Sequence, residues 1–241
     1  TLAGSSSGST DHNTGTSAKF YHPIGITTDG TNIYVVDKGN HRIRQIVIST
    51  GVVTTLAGSS QGFADVTGTS AKFDSPRGIT IDGTNLYVTD SQNHRIRQIV
   101  ISTGVVTTLA GSSQGSTDAT GTSAKFNNPW RITTDGTNLY VSDGNNHRIR
   151  KIVISTGVVT TLAGSSQGFA DATGTSAKFD SPRGIKIDGT NLYVTDSQNH
   201  RIRKIDLSKT ETAVVSLLNL GDDFPNTPKI AVSGLMSNSG Q

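Results

Sequence analysis

Three observations in the sequence predict an all-β fold, a β-propeller of four-stranded antiparallel blades. The phrase TLAGSS begins at Thr1, Thr55, Thr108 and Thr161 of the 241-residue chain, at spacings of 54, 53 and 53 residues. β-branched residues dominate short segments inside each copy, and no segment has helical spacing. Turns rich in Gly, Asn and Ser separate the segments. Four short strands repeated at a fixed period are the signature of a propeller blade.

The second copy shows the predicted strands in order. From the channel outward they are GITID from Gly78 to Asp82, LYVTD from Leu86 to Asp90, HRIRQIVI from His94 to Ile101, and VVTTLAG from Val105 to Gly111. Two to four turn residues join consecutive strands, which predicts an antiparallel meander. An 18-residue loop over positions 58–75 leads into this blade from the first copy.

The two ends of the chain depart from the repeat. Residues 1–4 are predicted to form an outermost-type strand, and TAVVSLLNL at 212–220 replaces the fourth outermost strand. PKIAVSG at 228–234 is similar to the innermost strand of a fifth unit. We therefore assign blades to 1–221 and a partial fifth repeat with a tail or linker to 222–241. An open ring exposes edge strands and apolar faces. We expect either a fragment of a six- or eight-bladed ring or a homo-oligomer in which a second copy completes the ring.

The stretch PRGITIDGTNLYVTDSQNHRIRQI, which begins at Pro76, resembles the NHL repeat, a family named for an Asn-His-Leu triplet. This chain has Asn-His-Arg at all four corresponding positions. The loop pattern Gly-x-Ala-Asp-x-Thr-Gly-x-x-x-Ala-x-Phe is similar to the long inter-blade loop of bacterial NHL proteins. The resemblance implies an interaction module, although a minority of relatives are enzymes and some animal relatives bind nucleic acid.

Composition narrows the classes of function. The chain contains no Cys, which excludes disulfides, thiolate zinc sites and Cys nucleophiles. Its net charge of +3 comes from cations spread evenly along the sequence, so a nucleic-acid partner is not expected. No apolar stretch approaches the length of a transmembrane helix, so we expect no membrane insertion. The abundance of Ser, Thr, Gly and Asn is typical of a secreted or cell-surface bacterial protein.

Polar residues recur at the turn between the second and third strands of every blade. We interpret them as a structural turn motif, because a catalytic or metal site needs one asymmetric cluster rather than copies related by rotation. Asp and Asn bind backbone groups in tight turns, and a carboxylate beside Arg95 or Arg97 forms a charge-assisted bond. We expect the Arg stems to pack between blades while their guanidinium groups stay in water. The motif comprises Asp37, Asn40, His41, Asp90, Asn93, His94, Asp143, Asn146, His147, Asp196, Asn199 and His200.

Metal and acid–base chemistry have little support in the sequence. Zinc needs three or four convergent ligands, and the lyase-type relatives that hold zinc also rely on disulfides. Asp65, Asp118 and Asp171 of the long loops are candidate calcium ligands, but one carboxylate per loop favours a plain turn. Glu211 is the only Glu, so general acid–base chemistry by paired carboxylates would fall to Asp residues alone, and we expect each Asp to be held in a turn. We expect no cofactor and no enzymatic activity; the alternative is a metal-dependent lyase-like or lactonase-like enzyme at the channel mouth.

Differences between the copies locate a candidate binding site. The residues that follow the proline of each innermost strand should surround the channel mouth: Ile24, Arg77, Trp130 and Arg183. The only Trp is followed by Arg131, where the other copies have Gly, and a Trp beside Arg is a typical anchor for a protein or glycan partner. In the alternative interpretation Trp130 fills a gap at the mouth.

The long loops should lie on the same face as this mouth, and long loops on a rigid scaffold are where binding commonly occurs. Phe63 and Phe169 either pack their loops down or present an aromatic surface. The sequence thus predicts a non-catalytic binding or scaffold propeller that forms part of a larger surface or secreted protein.

Overall fold

The computed structural model describes residues 1–208 and the backbone of residues 214–217, which form four four-stranded antiparallel sheets. Blade one contains β1 (Pro23–Thr28), β2 (Asn32–Asp37), β3 (Arg42–Val47) and β4 (Val53–Ala57). Blade two contains β5 (Pro76–Ile81), β6 (Asn85–Asp90), β7 (Arg95–Val100) and β8 (Val106–Ala110). Blade three contains β9 (Pro129–Thr134), β10 (Asn138–Asp143), β11 (Arg148–Val153) and β12 (Val159–Ala163). Blade four contains β13 (Pro182–Asp188), β14 (Asn191–Asp196), β15 (Arg201–Asp206) and β16 (Val214–Leu217).

The four blades follow one another around a central channel as a four-bladed β-propeller. The innermost strand β1 packs against β5, β5 against β9, and β9 against β13. The predicted fold class is confirmed, and the four predicted strands of the second copy agree with β5–β8 to within two residues at each end. The remaining regular structure in the described residues consists of three-residue 3-10 turns in the long loops and after β2, β10 and β14. No helix in these residues is long and apolar enough to cross a membrane.

The predictions for the chain ends have different outcomes. Residues 1–4 do not form a strand, so that prediction is wrong. The edge of blade four that an outermost strand would occupy is taken by β16, which pairs with β15 and lies inside the predicted replacement at 212–220. Gly4 instead donates its N–H to the carbonyl of Gly15, as Gly58 does to Gly68 at the start of the next loop. The predicted strand at 228–234 and the segment 222–241 lie outside the described residues.

Hydrophobic cores fill the joints between consecutive blades. Between blades one and two, Tyr34, Val36 and Ile43 from one side pack with Phe73 and Ile79 from the other. Equivalent clusters join blade two to blade three and blade three to blade four. The described residues contain no such cluster joining blade four to blade one; the outer face of blade one packs only with the first residues of the chain.

Candidate binding site at the channel mouth

Each blade contains a buried arginine that ties the turn motif to the preceding long loop. In blade two, Arg97 Nη1 lies 2.7 Å from Asp90 Oδ2, and its Nη2 lies 2.6 Å from Asp65 Oδ1. The same guanidinium donates to the carbonyls of Lys72 and Ala64. Asn93 donates to Asp90 Oδ2 and to the carbonyl of the loop's Gly62, over 2.9 and 2.7 Å. The motif therefore closes the loop over the blade.

The expectation that these guanidinium groups stay in water is wrong for the second Arg of each His-Arg-Ile-Arg phrase. Arg44, Arg97, Arg150 and Arg203 are fully buried. Burial of a charge requires paired charges and hydrogen bonds. The loop supplies both, because it folds back across the outer strands and brings its carboxylate and carbonyls to the guanidinium. Burial raises the pKa of Asp90 to about 6, while Arg97 and Asn93 act in the opposite direction.

The candidate calcium ligands of the loops form ion pairs with these arginines. Asp65, Asp118 and Asp171 lie 2.5 to 2.6 Å from the Nη2 atoms of Arg97, Arg150 and Arg203. In the first copy Asp11 has the same role toward Arg44, a contact that the sequence analysis missed because that loop is one residue longer. Among the described residues no group of three His, Asp or Glu side chains converges as a metal site would require.

The histidines of the motif connect neighbouring blades. His94 has a left-handed φ of +56°, and its Nδ1 accepts the backbone N–H of Asn128 in blade three at 3.2 Å. His41 and His147 accept in the same way from Ser75 and Ser181. Burial, followed by the charge of Arg95, lowers the pKa of His94. A neutral Nδ1 is the hydrogen-bond acceptor that this joint needs.

Asp residues at the opposite end of the blades are held in their own turns. Asp82 accepts hydrogen bonds from the Tyr87 hydroxyl at 2.7 Å and from the backbone of Asn85 and Thr84. Burial would raise the pKa of Asp82, but these hydrogen bonds outweigh it and lower the pKa to about 2. Asp29 and Asp135 make the same contacts in blades one and three.

At the channel mouth, Trp130 is stacked between two arginines from neighbouring blades. The guanidinium carbons of Arg77 and Arg183 lie 3.8 and 4.3 Å from its ring centroid. Gly144 leaves room for the indole, because a Cβ there would come within 2.7 Å of Trp130 Cδ1. Arg131 extends from the same strand and donates to the carbonyl of Arg77. We call Arg77, Trp130, Arg131 and Arg183 the mouth cluster.

The mouth cluster carries positive charge without a bonded carboxylate. None of its three arginines makes an ion pair or a hydrogen bond to an acidic side chain within the described residues. Burial lowers the pKa of Arg77 first, and the positive charges of Arg131 and Arg183 lower it further. Arg77 Nε is buried without a hydrogen-bond partner. Such a set of donors can hold an anionic group.

A cavity of about 260 Å³ continues inward along the axis. All four innermost strands line it, and its charged lining residues are Arg131 and Lys186. Ile24 lies on its wall together with Ile26, so the fourth predicted mouth residue lines the channel. Lys186 was missed by the sequence analysis, although it is the only charged residue where the other copies have Thr27, Thr80 and Thr133.

The long loops contribute less free surface than the sequence predicted. Phe73 at the end of the second loop is fully buried, and Gly68 donates its N–H to Gly104 at the far end of blade two. Phe63 and Phe169 are 45% and 42% exposed, each with one ring face covered by an arginine at 4.0 Å. Each ring thus packs against an arginine on one face and remains partly exposed, so both alternatives predicted for these rings, packing and exposure, are partly correct. Their contacts are with arginines of their own blades, away from the mouth cluster.

The NHL-repeat model matches residues 20–46, 73–99 and 126–152, which span the inner strands and turn motif of three blades. NHL repeat-containing protein 2 of Bos taurus is 32% identical over an alignment of 170 positions, which covers 65% of this chain. This chain contains NHL repeats. Protein SUPPRESSOR OF QUENCHING 1, chloroplastic, of Arabidopsis thaliana is 29% identical to this NHL-repeat chain over an alignment of 251 positions, which covers 95% of this chain. The chain covers only 22% and 24% of these two relatives, about a quarter of their length.

Solved structures share the fold of this NHL-repeat protein. An auxiliary nutrient binding protein from Bacteroides thetaiotaomicron superposes with a TM-score of 0.59 at 20% identity, over 75% of this chain and 46% of that one. A gluconolactonase from Xanthomonas campestris superposes with a TM-score of 0.60 at 12% identity, over 82% and 62%. At these identities the likeness concerns the propeller architecture alone.

Proposed function

We propose that this NHL-repeat protein is a non-catalytic binding or scaffold propeller, and that its mouth cluster holds an acidic group of a protein or glycan partner. The observation that supports the proposal is Trp130, held between Arg77 and Arg183 with Arg131 beside it and, in the part of the chain that the structure describes, no carboxylate bonded to these arginines. A partner's carboxylate or sulfate group would supply the negative charge that these arginines lack.

The chemistry of the cluster suits recognition. A guanidinium stacked on an aromatic ring keeps its in-plane N–H donors available for an oxyanion. Trp and Arg are also the residues that most often dominate the binding energy of an interface. Lys186, further along the channel, adds a second cation for a ligand that reaches inward. A partner recognised through acidic groups on an exposed propeller mouth fits a secreted or cell-surface protein.

The surroundings of the channel favour binding over catalysis. General acid–base catalysis needs a side chain that exchanges a proton near the substrate. The described lining of the cavity consists of apolar, glycine, hydroxyl and cationic residues. In blade two, Asp90 is held by an arginine and Asp82 by its own turn.

The repeat supplies a matched test variant. Trp130→Arg with Arg131→Gly gives blade three the Pro-Arg-Gly sequence that blades two and four already have. Titration calorimetry would compare the natural chain with this variant against a polyglutamate peptide, a sulfated glycosaminoglycan, its desulfated form and a single-stranded oligonucleotide. We expect the natural chain to bind the peptide or the sulfated glycan, and the variant to bind about tenfold or more weakly with an unchanged melting temperature.

Three results would contradict the proposal. Binding that the variant retains would show that Trp130 and Arg131 do not hold the acidic group. Selective binding of the oligonucleotide, with a steep dependence on salt, would indicate a nucleic-acid-binding NHL propeller instead. Failure to bind any acidic probe would remove the role assigned to the mouth cluster.

A further inference from the structure

Consecutive blades of this chain are joined in one recurring way. Between blades two and three, the His94 side chain accepts the N–H of Asn128, the Thr89 hydroxyl donates to the carbonyl of Trp130 at 2.9 Å, and Ile96 is fully buried in the core. The joint between blades three and four uses the equivalent groups, His147, Ser142 and Ile149. These two joints therefore combine two polar links with one buried isoleucine, whereas the joint between blades one and two keeps the His41 link and the buried Ile43 but has Val36 in place of the hydroxyl.

Blade four presents the first half of this joint again, but without an occupant among the described residues. Thr195, His200 and Ile202 correspond to the three residues just described in blade two. All three are exposed, and Ile202 has 47% of its surface accessible where its counterparts have none. The Thr195 hydroxyl accepts the N–H of Gly184 within its own blade, yet makes no link to a following blade. We call these three residues the tail face.

Blade one presents the second half. His22 has a φ of +53°, the same left-handed conformation as Ser75, Asn128 and Ser181, whose N–H groups are accepted by the joint histidines. Ile26 is 68% exposed, whereas the equivalent Ile79 and Ile132 are buried in the inter-blade cores. Ile48 is exposed in the same way. We call His22, Ile26 and Ile48 the head face.

We propose that the tail face of one molecule docks the head face of a second copy of the same chain. The two faces are complementary, since each repeats one side of a joint that this sequence makes in full twice, between blades two and three and between blades three and four. His200 Nδ1 would accept the N–H of His22, Thr195 would donate to the carbonyl of Ile24, and Ile202 would cover Ile26. The two surfaces differ, so the contact is head to tail, and successive contacts either close into a ring or extend as a chain.

This contact would also enlarge the channel mouth. Trp130 lies beside Arg183 because blade four follows blade three. A docked second copy would place its Ile24 beside Arg183 in the same relation. The docking itself needs no ligand at the mouth, so it stands independently of the proposed binding function.

Sedimentation velocity over a wide range of protein concentration tests the proposal on the full chain. We expect the natural chain to shift to dimers or larger species as concentration rises. Ile202→Asp and Ile26→Asp each remove one face by placing a charge in the apolar contact, and each should remain monomeric alone. Val66→Asp is the matched control: Val66 is 44% exposed on a loop outside both faces, and this variant should associate like the natural chain.

Mixing the two charged variants gives the decisive result. The Ile202→Asp chain keeps an intact head face and the Ile26→Asp chain an intact tail face, so the mixture should form a heterodimer that neither variant forms with itself. Thr195→Val, the residue that blade one carries at Val36, removes only the hydroxyl and should weaken association severalfold without affecting folding. A natural chain that stays monomeric at every concentration, or a mixture that fails to associate, would overturn the proposal.

Discussion

Arg97 and Asp90 form a fully buried ion pair, with 2.7 Å between Nη1 and Oδ2. Both charges were removed from water on folding, and the loop carbonyls and Asp65 complete the hydrogen bonding of the guanidinium. The pair therefore fastens the long loop to the blade. Loss of Arg97 leaves the buried carboxylate of Asp90 without its cation.

Arg97→Leu should lower the free energy of unfolding by about 3 to 5 kcal/mol, the usual consequence of breaking a buried pair by removing one partner. Chemical denaturation measures the effect. Arg95→Leu is the control two residues away, because Arg95 is only half-buried, donates to the carbonyl of Asn93 and stacks on Phe63. Equal losses for the two variants would mean that the buried pair has no special role.

His94 should make the joint between blades two and three sensitive to pH. Its Nδ1 accepts the Asn128 N–H only when unprotonated, and the pKa of His94 is lowered below its ordinary value of about 6.5. A lowered pKa means that the folded state binds fewer protons. The contribution is therefore present above pH 6.5 or so and is lost as the pH falls through the lowered value.

Thermal melts of His94→Gln and the natural chain at neutral and mildly acidic pH would show this dependence. We expect the variant to lose about 1 kcal/mol at neutral pH, and the difference between the two proteins to shrink under mildly acidic conditions. A difference between the two proteins that stays the same at neutral and mildly acidic pH would argue against this account.

The bond between Tyr87 and Asp82 should protect the fold against acid. The pKa of Asp82 is held at about 2, so its contribution is present above the ordinary Asp value and is lost as the pH falls toward 2. Tyr87→Phe removes one of the hydrogen bonds that lower this pKa, and acid unfolding should therefore begin at higher pH. Tyr193→Phe is the control, because no hydrogen bond links Tyr193 to Asp188 within the described residues. Circular dichroism during acid titration distinguishes the two; superimposable curves would contradict the prediction.

Gly111 occupies a position where blade and loop approach too closely for a side chain. Its φ is +93°, and a Cβ would lie 2.4 Å from the carbonyl oxygen of His94 and 2.9 Å from Phe126. Gly111→Ala should cost about 2 kcal/mol or more in the free energy of unfolding, from backbone strain together with displaced backbone. Gly83→Ala shares the strain at φ +104° but meets nothing within 4 Å, so it should cost less. A Gly83 variant at least as destabilised would show that crowding is unimportant.

Much of this fold is readable from local sequence. Strands such as β5–β8 follow from β-branched segments between turn residues, and the propeller follows from their repetition, because each blade can bury its faces only against the next. Comparison of the copies also located Trp130 and its neighbouring arginines, since a substitution in an otherwise constant repeat marks a position with a distinct role.

Other features depend on groups that are distant in the chain. Arg97 is buried rather than solvated because Asp65 and Lys72, 32 and 25 residues away, reach it through the folded loop. The edge of β15 is compatible with either chain terminus, and the fold pairs it with β16 and leaves residues 1–4 in a loop. The β-branched segments and the turn residues act over a few positions of the chain, and they specify the strands of a blade. The packing of one blade against the next determines which charges are buried, which strand edges are paired and which arginines lie together at the channel mouth.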